Sequence, residues 1–358
     1  MKQYIKRLNP LYLLVVFGLL CGHDLYIKME TYFLQPNQQA TFSLYNGTFE
    51  KSENIITRDR MLDASFMVQG ERVRITPDQW EDQDTTITQL TFDTGEAGTY
   101  VAGVSTKARN IELEADKFNN YLEHDGVLDM LEYRKSNNLL DQDAVESYQK
   151  HVKAIYQVGG VKTDDWKSVL GYPIEFVPLE NPYKKHTGDQ LEVKLLLDGV
   201  PLSNQLVYAN HISTGESHTH GAHIHEHDGV KHTHEHSHDD GEHQHDHADK
   251  SKAMDEHSHT IGQQLQTNEQ GIVKVDFPED GIYYLRTIHM VGVADREELT
   301  HISKWATLTF EVTHKHGRHT HTHHDHDHKH KKEIPSWIFI VGSLFIIGLL
   351  FLVFRNRD

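Results

Sequence analysis

Residues 282–293 read IYYLRTIHMVGV and residues 305–312 read WATLTFEV. Both runs are rich in β-branched and aromatic residues, and Glu279-Asp280-Gly281 ahead of the first is turn chemistry, so both read as strands. Working backward, strand signals recur at 272–277, 262–265, 206–209, 191–197 and 174–177, punctuated by Asp198-Gly199 and by Asn268-Glu269-Gln270-Gly271. That spacing predicts an immunoglobulin-like β-sandwich over 171–313. Further toward the N-terminus, runs at 25–27, 40–45, 64–68, 73–75, 87–92 and 99–104 alternate with turns at Pro36-Asn37, Asn46-Gly47, Gln69-Gly70 and Thr94-Gly95. They predict an N-terminal β-sandwich domain over 23–113. Between the two the period changes. Phe118, Tyr121 and Leu122, then Val145, Tyr148, Val152 and Ile155, recur at three and four, with Asp141 placed as an N-cap, which predicts two or more amphipathic helices within a helical segment and linker at 114–170. The expected fold is therefore mainly β, two sandwiches with an appended helical segment.

The ends of the chain follow other rules. Residues 1–22 carry Lys2, Lys6 and Arg7 ahead of the apolar run LYLLVVFGLL (11–20), too short to cross a bilayer, and read as a signal peptide cleaved near Gly22. Residues 334–354 (IPSWIFIVGSLFIIGLLFLVF) hold no charge and are long enough for one transmembrane helix, with Trp337 at an interfacial position. Arg355 and Arg357 follow in a short tail, 355–358, which the positive-inside rule assigns to the cytoplasm. The expected topology is a single-pass protein of the cell inner membrane with its bulk in the periplasm.

Composition narrows the function. The 358 residues carry a net charge of −18 with histidine neutral, a balance that repels phosphate backbones and argues against a nucleic-acid partner. Cys21 is the only cysteine and lies in the leader, so thiolate clusters and disulfide frameworks are excluded. The sequence holds no nucleophile elbow, no H-E-x-x-H and no phosphate loop, and no catalysis is expected.

What stands out is histidine, 30 residues in all. Fourteen lie in a block at 214–259: His218, His220, His223, His225, His227, His232, His234, His236, His238, His243, His245, His247, His257 and His259. Nine more lie between the second sandwich and the membrane, in a juxtamembrane linker at 314–333: His314, His316, His319, His321, His323, His324, His326, His328 and His330. Both blocks are too polar to bury a core and are expected to be disordered, the first as an insertion within the second β domain. Many of the histidines follow an H-x-H spacing. Residues two apart in extended chain point the same way at about 6.6 Å, so a small bend brings two imidazoles to one cation. Neutral imidazole suits nickel, cobalt, zinc and copper, and interleaved Asp228, Glu235, Asp239, Asp240, Asp246, Asp325 and Asp327 add oxygen donors. Several exchangeable sites of modest affinity are expected, fit for capture of a divalent transition metal.

The framework around these blocks resembles a known family. His23-Asp24-Leu25, ADKFNNYLEHDG (115–126), Glu146-x-Tyr148, GYPIEFVPLENPY (171–183), LLLDGVPL (195–202), IYYLRTIHM (282–290) and KWATLTFEV (304–312), in that order, are similar to the periplasmic NikM-type substrate-binding domains of nickel and cobalt uptake. The resemblance implies a β-rich periplasmic component, sometimes membrane-anchored, that hands metal to a membrane transporter. Outside the tracts, cleavage after Gly22 would give His23 a free amine beside its imidazole, and a discrete metal site of His23, Asp24 and His289 is expected, with His211 at the end of a strand receiving ions from the inserted loop. His124 and His151 sit in helical patterns and read as solvated or packing residues, and His186 reads as an exposed turn. Competing readings are an adhesion or interaction module with histidine-rich spacers, separable by metal titration, and a copper enzyme, separable by a redox assay.

Overall fold

The computed structural model describes residues 23–214, 260–293 and 298–315. The expected leader, most of both histidine blocks and the expected membrane span lie outside the described residues. Among the described residues no helix is long and apolar enough to cross a membrane.

The fold is mainly β. Its centre is a ten-stranded sheet running in the order β15 (Gln263–Gln266), β14 (Leu206–Ser213), β17 (Gly281–Gly292), β18 (His301–Val312), β10 (Ala144–Val158), β8 (Gly98–Thr106), β4 (Met61–Val68) and β5 (Glu71–Arg74), with β2 (Phe33–Leu34) and β9 (Arg109–Leu113) also paired to β10. A four-stranded sheet of β1 (Asp24–Lys28), β3 (Gln39–Gly47), β7 (Ile87–Asp93) and β6 (Trp80–Gln83) covers one half. A second, of β11 (Ile174–Pro178), β12 (Gln190–Leu197), β13 (Val200–Pro201) and β16 (Ile272–Asp276), covers the other. The first half closes around Phe42 of β3, whose ring meets Phe66 of β4 at 5.7 Å and Trp80 of β6 at 5.3 Å. In the second, Phe277 meets Tyr283 at 4.7 Å and Phe310 at 5.8 Å. Each such fully buried ring contributes about 2–3 kcal/mol from the water it sheds.

The expected second helix is a strand. Val145, Tyr148, Val152 and Ile155 belong to β10, which pairs in parallel with β18 from Glu146↔His301 to Ala154↔Thr309 and antiparallel with β9 and β8. A central strand is covered on both faces, so its apolar residues need not alternate, and their spacing at three and four arose without a helix. This strand ties the halves together, because β8 belongs to the first and β18 to the second. The other helical expectation holds: α1 (Ala115–His124) and α2 (Leu128–Ser136) form a hairpin that buries Phe118, Tyr121, Leu122 and Met130 against Ile288, Met290 and Trp305 of the sheet. Gly126 turns the chain between them at φ +72, and its carbonyl accepts from the Tyr208 hydroxyl at 3.0 Å.

Buried charges pin the connections. Lys153 of β10 donates to Glu175 at 3.0 Å and to the carbonyls of Ser168 and Phe176, each at 2.9 Å, which uses all three ammonium hydrogens. Glu175 in turn accepts from the backbone of Leu170, Gly171 and Tyr172. The GYPIEFVP segment therefore owes its glutamate to the shaping of a buried turn.

Candidate functional site

Three neighbouring strands fix where the two histidine blocks join the fold. Ser213, the last residue of β14, pairs with Gly281, the first of β17, and Gly281 pairs with Val312, the last of β18. The block at 214–259 departs after β14 and the block at 314–333 after β18, so their points of departure are two strand spacings apart, about 10 Å. Both touch Asp280. Its carbonyl accepts from Thr214 N at 3.2 Å, and its carboxylate accepts from the Thr187 hydroxyl and pairs with His314 Nδ1. Partial burial raises the Asp280 pKa, but the Thr187 and His314 contacts outweigh it and hold the carboxyl below its ordinary range. On the same pole His211 stacks on Tyr283 at 4.8 Å with Nε2 3.7 Å from Glu279 Oε2, and His186 Nδ1 lies 3.2 Å from the Thr313 carbonyl. The pole thus carries His186, His211, His314, Glu279 and Asp280. Among the described residues, no three His, Cys, Asp or Glu side chains are grouped so as to hold one ion.

The site expected from His23, Asp24 and His289 is not assembled. Asp24 is buried, and its Oδ2 lies 2.6 Å from Arg286 Nε and accepts from Tyr26 OH at 3.0 Å. Arg286 and His289 are three apart in one regular strand, so their side chains leave opposite faces of the sheet. His23 and Asp24 lie on the helix-bearing face with Arg286, whereas His289 lies on the other, where Nδ1 contacts Gln205 Oε1 at 2.8 Å. Burial holds the His289 pKa down, with Asp129 opposing and its cross-strand neighbour Lys304 adding to the effect. His289 is a strand histidine with a hydrogen-bonding partner on the face away from His23 and Asp24.

The remaining histidines are structural in their surroundings. His151 is buried in β10 with Nδ1 2.9 Å from Ser105 Oγ, and burial pushes its pKa down to about 4. It is a packing residue, as its apolar neighbours suggested, but in a strand. His124 sits at the end of α1, 3.0 Å from Asp125. His301 packs against the Phe118 ring at 4.7 Å.

His23 itself lines a cavity of about 270 Å³. Its Nδ1 is 3.3 Å from Glu53, and Lys150 donates both to its carbonyl and to Asn46 Oδ1, the latter at 2.9 Å. Two charged residues of this cavity, Glu146 and Lys150, were not singled out from the sequence as site residues. Their signal was the run Glu146-x-Tyr148-x-Lys150, which is one face of a strand once the period is taken as two.

The fold and the pole define a β-rich protein that presents two histidine-rich segments from one end of a single sheet. Residues 20–291 match DUF4198, described as a domain of unknown function, and the chain belongs to that family. No curated protein matches the chain in sequence. Among solved structures, the chain is similar to the D0-D1 domain of intimin at 8% identity and a TM-score of 0.17, covering 81% of this chain and 97% of that one. It is also similar to the three N-terminal domains of the bacteriophage RB49 outer capsid protein Hoc, at 8% identity and a TM-score of 0.12, covering 80% of this chain and 59% of that one.

Proposed function

We propose that this protein is a membrane-anchored, extracytoplasmic metal-binding protein that captures a divalent transition metal, nickel or cobalt ahead of zinc or copper, and delivers it to a membrane transporter without catalysing a reaction. The observation that carries the reading is the placement of histidine: 23 of 30 fall in two blocks, and both blocks begin beside Asp280. Imidazoles at H-x-H spacing are suited to these metals, and sites formed from polar segments should exchange their ions, as a delivery protein must. The resemblance to NikM-type uptake components supports the same process. So does the pairing of an N-terminal leader with an apolar span at 334–354, which would hold the β-sheet body outside the membrane. The test is calorimetric titration of the full chain with Ni²⁺, beside a variant whose 23 block histidines are serine. Several equivalents on the first and few on the second are expected. Equal stoichiometry on both would remove the proposal.

A further inference from the structure

The cavity beside His23 is chemically unlike the histidine pole. One of its walls is aromatic and aliphatic: Trp305, Tyr148 and Ile111 line it, and Trp305 is stacked on Tyr121 with the rings 9° from parallel. Cationic groups stand beside that wall, with Arg60 and Lys150 each near the Tyr148 ring. Arg60, Arg109 and Lys150 all line the cavity, against one lining carboxylate, Glu146. The guanidinium of Arg60 stands 5.5 Å over the Tyr148 ring, and its Nε is buried without a hydrogen-bonding partner among the described residues, so the charge on this side chain is not neutralised through Nε. Lys150 spends two of its three donors on His23 and Asn46, and its Nζ lies 5.3 Å from the Trp305 ring.

We propose that this cavity is a binding site for a small organic monocarboxylate with a flat apolar body, the carboxylate meeting Arg60 and Lys150 and the body lying against Tyr148 and Trp305. The size is right for a metabolite, since 270 Å³ falls just below the common range of about 300–1,000 Å³ for ligand pockets. The charge is right for a monoanion. Glu146 is held in the wall by the Tyr121 hydroxyl at 3.2 Å and by the Ser303 hydroxyl, and burial pushes its pKa up to about 7, so it is partly neutral and can itself donate to a ligand oxygen. Inorganic phosphate is disfavoured because it has no apolar body to cover the Tyr148 and Trp305 wall. Planar, bidentate recognition of a carboxylate is what a guanidinium does best, and stacking over the Tyr148 ring leaves the edge of the Arg60 fork in plane for it.

The experiment uses the full chain with EDTA in excess, so that metal held by the histidine blocks does not report. Benzoate and hexanoate are titrated by calorimetry and by tryptophan fluorescence, with benzamide as the uncharged isostere of benzoate and phosphate as a small multivalent anion. One saturable equivalent of benzoate is expected, with benzamide and phosphate at least tenfold weaker. Arg60→Gln should weaken benzoate at least tenfold, Arg60→Lys should recover part of that loss, and Ile111→Trp should fill the cavity and abolish binding while the circular dichroism spectrum and melting temperature stay those of a folded protein. The proposal is overturned if neither carboxylate binds saturably, if benzamide binds as tightly as benzoate, or if folded Arg60→Gln and Ile111→Trp both bind benzoate like the parent.

Discussion

Asp24 Oδ2 lies 2.6 Å from Arg286 Nε, with both side chains almost wholly out of water, and this ion pair joins the first strand of the chain to β17 in its second half. Arg286 also donates to the Asp125 carbonyl at 3.0 Å and lies 5.5 Å from the Tyr208 ring, so one guanidinium connects β1, the helical hairpin and β14. Burial works against its charge, but Asp24, with Tyr26, Asp125 and Tyr208 behind it, outweighs that and keeps it firmly protonated. Asp24 is thus a structural anchor for β1, its carboxylate engaged by Arg286 and Tyr26.

Removing one member of such a pair leaves a bare charge in the interior. Asp24→Ala should cost about 3–5 kcal/mol in urea unfolding, whereas Asp24→Leu combined with Arg286→Met should recover most of it. Nickel equivalents per folded molecule should be the same for parent and double variant. A loss of one equivalent on removing Asp24 would instead mark it as a ligand.

Glu146 gives the fold a pH dependence of definite sign. Its folded pKa, about 7, is above the ordinary 4.5, so the folded state holds its proton more tightly than the unfolded chain. Its contribution is fully present below pH 4.5 and is lost as pH rises through 7, to an extent on the order of 3 kcal/mol. Glu146→Gln, which keeps the shape and removes the titration, should be more stable than the parent at pH 8 and less different from it at pH 5. Thermal melts at the two pH values test this, and an identical pH profile in parent and variant would contradict it.

Acid should empty the metal sites before it unfolds the protein. Imidazole binds a metal only when neutral, and with an ordinary value of about 6.5 it is an effective ligand at pH 7 and a poor one at 5.5. His151, by contrast, is depressed by burial to about 4, so the stability it contributes is fully present above pH 6.5, is lost progressively as pH falls from there through 4, and is only partly gone at pH 5.5. Bound nickel measured after dialysis at pH 5.5 should have fallen by more than half while the circular dichroism spectrum is still native. Coincident loss of metal and structure would place the metal within the folded core.

How much of this could be read from the sequence depended on which rule governed each segment. The strand at 87–92 was legible because it alternates, with one face to bury, and 99–104, buried throughout, was legible as a short β-branched and aromatic run set off by the Thr94-Gly95 turn ahead of it. The strand β10 was not, since its burial on both faces erased the alternation, and Val145, Tyr148, Val152 and Ile155 imitated a helix. The same misreading hid the cavity: taken as a helix, Glu146 and Lys150 share a face from which Tyr148 points away, while as a strand all three share one face. Composition exposed the histidine blocks without any structure. Their common point of departure at Asp280 depends on the order of β14, β17 and β18, a long-range pairing that no local pattern contains.

That common origin leads to a last prediction. Two polar segments fixed about 10 Å apart at their roots are held at high effective concentration relative to one another, so an ion bound by imidazoles of one can recruit imidazoles of the other without the entropy cost of bringing two molecules together. Metal affinity of the intact chain should therefore exceed what either block gives alone. Replacing the eight histidines from His316 to His330 by serine, with His314 left in place on Asp280, should lower the affinity of the equivalents that remain on the 214–259 block by roughly tenfold, in addition to reducing their number. Supplying residues 316–330 as a free peptide at equimolar concentration should not restore it, because the peptide lacks the shared root. Competition against a chelating indicator across the parent, the serine variant and the variant plus peptide separates the outcomes. If the remaining equivalents keep the parent's affinity, the two blocks bind independently, and their meeting at Asp280 is a matter of topology alone.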